Sequence, residues 1–211
     1  MELFNNVLGF LGQRWDVVLK LLLEHLWLVF ISVAVAICVS VILGIIITYH
    51  AGLATSVLTI CQVIMVIPSL AMLAFMVPLF GIGFTSGVIA LILYSLLPIV
   101  RNTYSGINEI DPAIIEAARG MGMNEWRILF KVKLPIAFPV IMAGIRSATV
   151  MVVGIGAIAS YIGAGGLGEM VFQGISRTRP EMIVVGALFV SIIAIAFDLL
   201  LSWSERRMRV G

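Results

Sequence analysis

From His25 to Val100 the chain contains no Asp, Glu, Lys or Arg. About 20 apolar helical residues cross the hydrocarbon core of a bilayer, so this uncharged run has room for roughly three crossings. An ordinary soluble domain is about 25% charged and 45–50% apolar. Here 11% of 211 residues are charged and 62% apolar, with a mean hydropathy of +1.18. That balance excludes a water-soluble globule, a disordered tail and a nucleic-acid-binding module. An all-α integral membrane protein is the expected class.

Residues 1–24 combine Leu3, Phe4, Val7, Leu8 and Leu11 at helical spacing with Arg14, Asp16 and Lys20, which predicts an interfacial helix lying outside the membrane. Residues 25–203 form the expected transmembrane domain of five helices. The first span covers about Leu26–Thr48, and the second about Leu53–Phe75 with a kink at Pro68, whose ring removes a backbone donor. The third covers about Val88–Val100, the fourth Ile136–Ile162 and the fifth Met182–Trp203. Between the third and fourth lies a charged loop, 101–135. The last residues, 204–211, form a basic tail.

Five crossings put the two ends on opposite sides. Arg101, Arg119, Arg127, Lys131 and Lys133 of the loop share a side with Arg206, Arg207 and Arg209 of the tail, against Arg14, Lys20, Arg177 and Arg179 opposite. The positive-inside rule then makes the loop and C-terminus cytoplasmic and the N-terminus external, in a multi-pass protein of the cell membrane. The opening residues have no basic region or cleavage site of a removable signal peptide, so the first span is expected to stay. Cys38 and Cys61 lie in apolar runs and read as small buried hydrophobes. His25 and His50 have no metal or acid–base set around them in the sequence, which argues against a membrane enzyme.

The loop has a definite internal grammar. Asp111 is placed to cap a helix that opens on Pro112, where a missing N–H costs nothing. Gly120 and Gly122 end that helix, Asn124 caps a second short one from Glu125 to about Lys131, and Leu134-Pro135 marks the return to the bilayer. The small residues Ala117, Ala118, Gly120 and Gly122 let backbone approach a partner surface closely, while Glu116 and Arg119 supply charges for register.

Glu116-Ala117-Ala118, three residues, Gly122, nine residues, Val132, one residue and Leu134-Pro135 resembles the signature Glu-Ala-Ala-x3-Gly-x9-Ile-x-Leu-Pro of type I, binding-protein-dependent ABC importer permeases. Only the Ile is replaced, by Val132. The resemblance implies that Glu116, Ala117, Ala118, Arg119, Gly120, Met121, Gly122, Leu134 and Pro135 couple the chain to an ATPase subunit by docking in its groove. The chain has no phosphate-binding G-x-x-x-x-G-K-[ST] loop of its own, so ATP and Mg are expected on that partner, with no cofactor here.

Tyr161-Ile162-Gly163-Ala164-Gly165-Gly166-Leu167-Gly168 contains a formal G-x-G-x-x-G. A dinucleotide site needs that motif inside a βαβ unit, which this chain cannot supply. The glycines Gly163, Gly165, Gly166 and Gly168 instead predict irregular backbone at the outer mouth, tolerated where protein surrounds it. Ile162–Glu169 with Phe172-Gln173-Gly174, Gln62 with Ile67–Ala71, Pro78–Gly83 and Ala143–Arg146 are similar to permeases that import quaternary-ammonium osmoprotectants: glycine betaine, carnitine, choline and proline betaine. That similarity spans roughly residues 55–200.

Candidates for the translocation path are Gln62, Pro68, Ser69, Tyr94 and Arg146. Arg146 lies about 16 Å along a helix from Pro135, near mid-bilayer, where an ionised group faces a cavity or a partner. It reads equally as a path-lining residue and as a structural tie. As a path residue it would repel choline and accept the carboxylate of a betaine. Gln62, Ser69 and Tyr94 also read as ordinary interhelical hydrogen-bonding groups, and the Trp residues as interface anchors. Asp198 is expected to pair with a nearby donor.

The resemblance implies a second permease subunit, identical or similar, two ATPase subunits and an extracytoplasmic binding protein, with membrane lipid around them and no nucleic acid. A methionine or other small-solute importer permease is the alternative within transport. An ATP-independent osmotic channel or sensor is the alternative outside it.

Overall fold

Residues 2–208 are described by the computed structural model of the chain, and all of its described regular structure is helical. The end of the tail at 209–211, with Arg209, lies outside the described residues.

Helix α1 runs from Glu2 to Tyr49 and leaves helical geometry only at Arg14 (φ −128°, ψ 27°). Arg14 thus kinks the chain between two helical stretches, and the expected interfacial helix, drawn as 1–24, divides there, with the residues after Arg14 belonging to the stretch that becomes the first span. That second stretch runs on into the first span, because no Pro or Gly lies between Trp15 and Gly44 to stop a Leu-rich helix. At 1.5 Å per residue the stretch after the kink, residues 15–49, reaches about 52 Å, more than the hydrocarbon thickness of a bilayer. Its buried stripe includes Leu28 and then Ser32, Ala36, Ser40 and Gly44, four small residues spaced by four. Such a stripe lets two membrane helices come close. A Cβ at Gly44 would lie 2.5 Å from the Cβ of Thr103 on the neighbouring helix.

The second span departs most from expectation. Helices α2 (Ala51–Val66) and α3 (Ser69–Phe80) are bent by 100° at Ile67-Pro68, a full break rather than a kink. Ile67 is extended (φ −61°, ψ 129°), as the residue before a proline prefers to be. Its freed carbonyl accepts the hydroxyl of Tyr94, a buried residue of α4.

Helix α4 spans Phe84–Asn108, beginning before the expected Val88 and passing the expected Val100, so Arg101 is helical. The expected break at Leu134-Pro135 is absent. Helix α6 (Glu125–Ile128), a π-helical turn at Leu129–Lys133 and α7 (Leu134–Ala159) wind on without interruption, ending in a 3₁₀ turn at Ser160–Ile162. The Leu134 N–H reaches back five residues to the Leu129 carbonyl just before Pro135, which sits in the first turn of α7. A widened turn of this kind lets a helix absorb a misfit without ending.

Helix α5 is Pro112–Gly120, α8 is Gly168–Ser176 and α9 is Pro180–Met208. Helix α8 is not apparent in the sequence, because its glycines, Gly168 and Gly174, suggest a loop. Gly168 is held against α7, where a Cβ would fall 1.8 Å from the Ala157 carbonyl oxygen.

Among the described residues four helices are long and apolar enough to cross a membrane, and the bent α2–α3 pair makes up to a fifth. Helix α4 packs mainly on α1 and α7, and α7 on α9. The largest core gathers Leu28, Leu73, Leu91, Val152, Leu167 and Met170 from five helices and the glycine segment. Large apolar side chains such as Trp27, Phe75, Ile82 and Leu199 remain exposed, as a bilayer or a membrane partner requires.

Candidate coupling knob and glycine mouth

The knob is built from its caps. Asp111 accepts a hydrogen bond from the Ala113 N–H at 2.9 Å, with Pro112 following as expected. Asn124 accepts from the Arg127 N–H at 2.9 Å and opens α6. Between them, Gly122 takes φ +78°, and the N–H groups of Gly122 and Met123 donate to the Arg119 and Ala118 carbonyls, closing the end of α5. Arg119 grips Glu125 through Nη2 (2.8 Å) and Nε (2.9 Å), tying α5 to α6 across the turn.

Of α5 only Ala118 is buried; Glu116, Ala117, Arg119 and Gly120 are exposed. Met121 and Trp126 are 72% and 71% exposed, so the knob presents two large apolar side chains amid its charges. Trp126 stacks on Phe130, and the Lys133 ammonium lies 4.8 Å over the Tyr49 ring, joining the end of α1 to the base of the knob. Leu134 is half-buried and Pro135 exposed.

The glycine segment lies at the far end of α7, about 39 Å along the helix axis from Leu134. Gly163, Gly165 and Gly166 have φ of +79°, +81° and +91°. Two neighbours fix this backbone. The Gly83 N–H donates to the Ile162 carbonyl at 2.9 Å, and the Gly166 N–H donates to Glu24 Oε2 at 3.3 Å. His25 beside Glu24 is fully buried and donates from Nε2 to the Val153 carbonyl at 3.2 Å. A Cβ at Gly166 would stand 2.9 Å from His25 Nδ1, so this position is closed to larger residues by contact as well as by φ. Sequence reasoning set His25 aside and did not single out Glu24. The signal present was an ionisable pair standing directly at the edge of the uncharged run.

The path candidates separate into groups. Pro68, Ser69 and Tyr94 meet at the α2–α3 break. Gln62 instead accepts from Arg101 Nη2 at 3.4 Å. Arg146 is ion-paired with Asp198 (3.3 Å) and Glu205 (3.5 Å) on α9, so its guanidinium serves as the tie between α7 and α9. No cluster of His, Cys, Asp and Glu suited to a metal occurs among the described residues.

Residues 36–210 match the family of binding-protein-dependent transport system inner membrane components. The chain belongs to that family. It is 47% identical over 196 residues to the osmoprotectant import permease protein OsmW of Salmonella typhimurium, covering 90% of this chain and 89% of that one. It is 40% identical over 204 residues to the glycine betaine/carnitine/choline transport system permease protein OpuCB of Bacillus subtilis, covering 97% and 94%. The fold is that of the permease in an inward-facing structure of the MetNI methionine ABC transporter, with a TM-score of 0.84 at 23% identity over 93% of this chain and 98% of that one. The protein is thus a multi-pass membrane transport subunit of the type I importer fold and not an enzyme.

Proposed function

We propose that this permease forms the translocation pathway of an ATP-driven importer for quaternary-ammonium osmoprotectants: glycine betaine, carnitine, choline and proline betaine. The solute class rests on the likeness, over nine-tenths of the chain, to permeases named for such solutes. The methionine importer shares the fold at an identity too low to carry a substrate.

The observation that carries the coupling role is the unbroken winding from the knob into α7, whose other end bears the glycine segment. ATP and Mg bind on a separate ATPase, into whose groove Glu116–Gly122 dock, with Leu134 and Pro135 at the root of the lever. When two ATPases close, the knobs of two permease subunits move together and α6–α7 transmits the motion to the mouth at Gly163–Gly168. A binding protein delivers solute there. Pro68, Ser69 and Tyr94, at a break where backbone polar groups meet the membrane interior, line the path, because non-helical backbone at that depth is tolerated beside a cavity. The balance of Lys and Arg supports a cytoplasmic knob and C-terminus and an external N-terminus.

Uptake by the reconstituted complex tests this reading across a panel of glycine betaine, carnitine, choline and methionine. ATP-dependent accumulation of the first three is expected. Methionine uptake alone, or solute flux without an ATPase, would replace it.

A further inference from the structure

Beside the glycine segment is a cavity of about 350 Å³ lined by Glu24, Trp27, Phe84, Gly163, Ala164 and Gly165. Its volume is that of a small-molecule site. Its chemistry is specific: one carboxylate, two aromatic side chains and a wall of small residues. Glu24 and Trp27 are three apart on α1 and so share a face. The carboxylate is oriented by the Gly166 N–H on Oε2, while among the described residues its other oxygen has the Lys20 ammonium at 3.8 Å. That i,i+4 pair is long, and Lys20 is 75% exposed, so another cation can displace it readily.

We infer that this cavity is a binding site for the quaternary ammonium head of the solute. A quaternary ammonium has no N–H to donate, so hydrogen-bonding groups cannot grip it. A negative charge together with aromatic faces can. The inference rests on the solute class proposed above. Glycine betaine, carnitine and choline all carry the trimethylammonium group, and choline carries no carboxylate, so a site common to all three reads that head, which aromatic faces and a negative charge both attract. Arg146, which would repel such a head, is occupied by Asp198 and Glu205 on α9. Trp27, on sequence a simple interface anchor, stacks on Phe30 at 6.2 Å and borders this cavity. Gly163 and Gly165, at positive φ, bring backbone to the cavity wall with no side chain to fill it.

The test is binding of radiolabelled choline to the purified permease–ATPase assembly without the binding protein, in competition with the neutral tert-butyl analogue of choline. Saturable choline binding is expected, with the neutral analogue competing at least about fivefold more weakly because it lacks the charge that the rings and carboxylate attract. Trp27→Leu should weaken choline binding by about five- to thirtyfold and Trp27→Phe should restore most of it. Glu24→Gln should weaken it as well. Equal competition by the neutral analogue, or wild-type affinity in Trp27→Leu, overturns the site. Should Trp27→Leu fail to assemble, the analogue competition and Trp27→Phe decide the matter. ATP-driven choline uptake by the wild-type system with no such binding overturns the site alone. Absence of uptake for every quaternary ammonium overturns the solute class beneath it.

Discussion

Arg119 and Glu125 clasp the two helices of the knob through a single carboxylate oxygen, at 2.8 Å from Nη2 and 2.9 Å from Nε. Both side chains are more than half exposed, so the pair contributes only about 0.2–1 kcal/mol to stability. Its larger effect is geometric, since it ties α5 to the α6 helix that continues into α7. Glu125→Ala is expected to leave thermal stability within about 1 kcal/mol of wild type while lowering uptake severalfold. The exchange Arg119→Glu with Glu125→Arg should recover part of the loss. Unfolding curves set beside uptake rates check both halves.

Gly122 turns the chain between those helices at φ +78°. A side chain in this left-handed region costs about 1–2 kcal/mol, and Asn tolerates it better than a β-branched residue. Gly122→Val is expected to abolish transport in a complex that still assembles, with Gly122→Asn retaining a substantial part. Co-purification with the ATPase, followed by uptake, separates lost coupling from lost assembly.

The knob was legible because its signals are local: Asp111-Pro112, Gly122 and Asn124 act within a few residues of themselves, and the structure puts caps and turn where those residues predict. The ends of α4 and the continuity through Pro135 were not legible. In the sequence the charge at Arg101 signals the end of a helix and the proline at 135 a boundary, whereas α4 and α7 are set by packing on α1 and on each other. The Pro68 break is visible in the sequence as a weakness, but the Tyr94 hydroxyl that satisfies the carbonyl freed at this 100° bend comes from 27 residues away and is brought there only by the fold. Glu24 and His25 were hidden for the same reason. Their partners, Gly166 and Val153, are brought to them only by the fold.

Arg146 faces two carboxylates, and Glu205 is only 13% exposed in its side chain. Removing the guanidinium strands both acids. A fully buried pair broken this way loses about 3–5 kcal/mol, and the partial exposure of Arg146 and Asp198 reduces the expected cost to about 1–3 kcal/mol. Arg146→Met should therefore lower the melting temperature in detergent. Adding Asp198→Asn and Glu205→Gln should restore it, and a triple variant no more stable than the single one would count against the tie.

Gly166 and Gly154 provide an internal comparison on the same measurement. A Cβ at Gly166 meets His25 Nδ1 at 2.9 Å and its Cα at 3.2 Å, on backbone at φ +91°, so neither the neighbour nor the conformation can yield cheaply. Gly154 lies in the interior of α7 with nothing within 4 Å of an added Cβ. Gly154→Ala is expected to stabilise the protein by about 0.5–1 kcal/mol, since alanine is the better helix former. Gly166→Ala should instead destabilise it and reduce uptake, because the glycine segment is tied to Glu24 of α1 through this residue. If the two substitutions shift the melting temperature equally, the clamp of α1 on the glycine segment has no energetic weight and the mouth is held by other contacts.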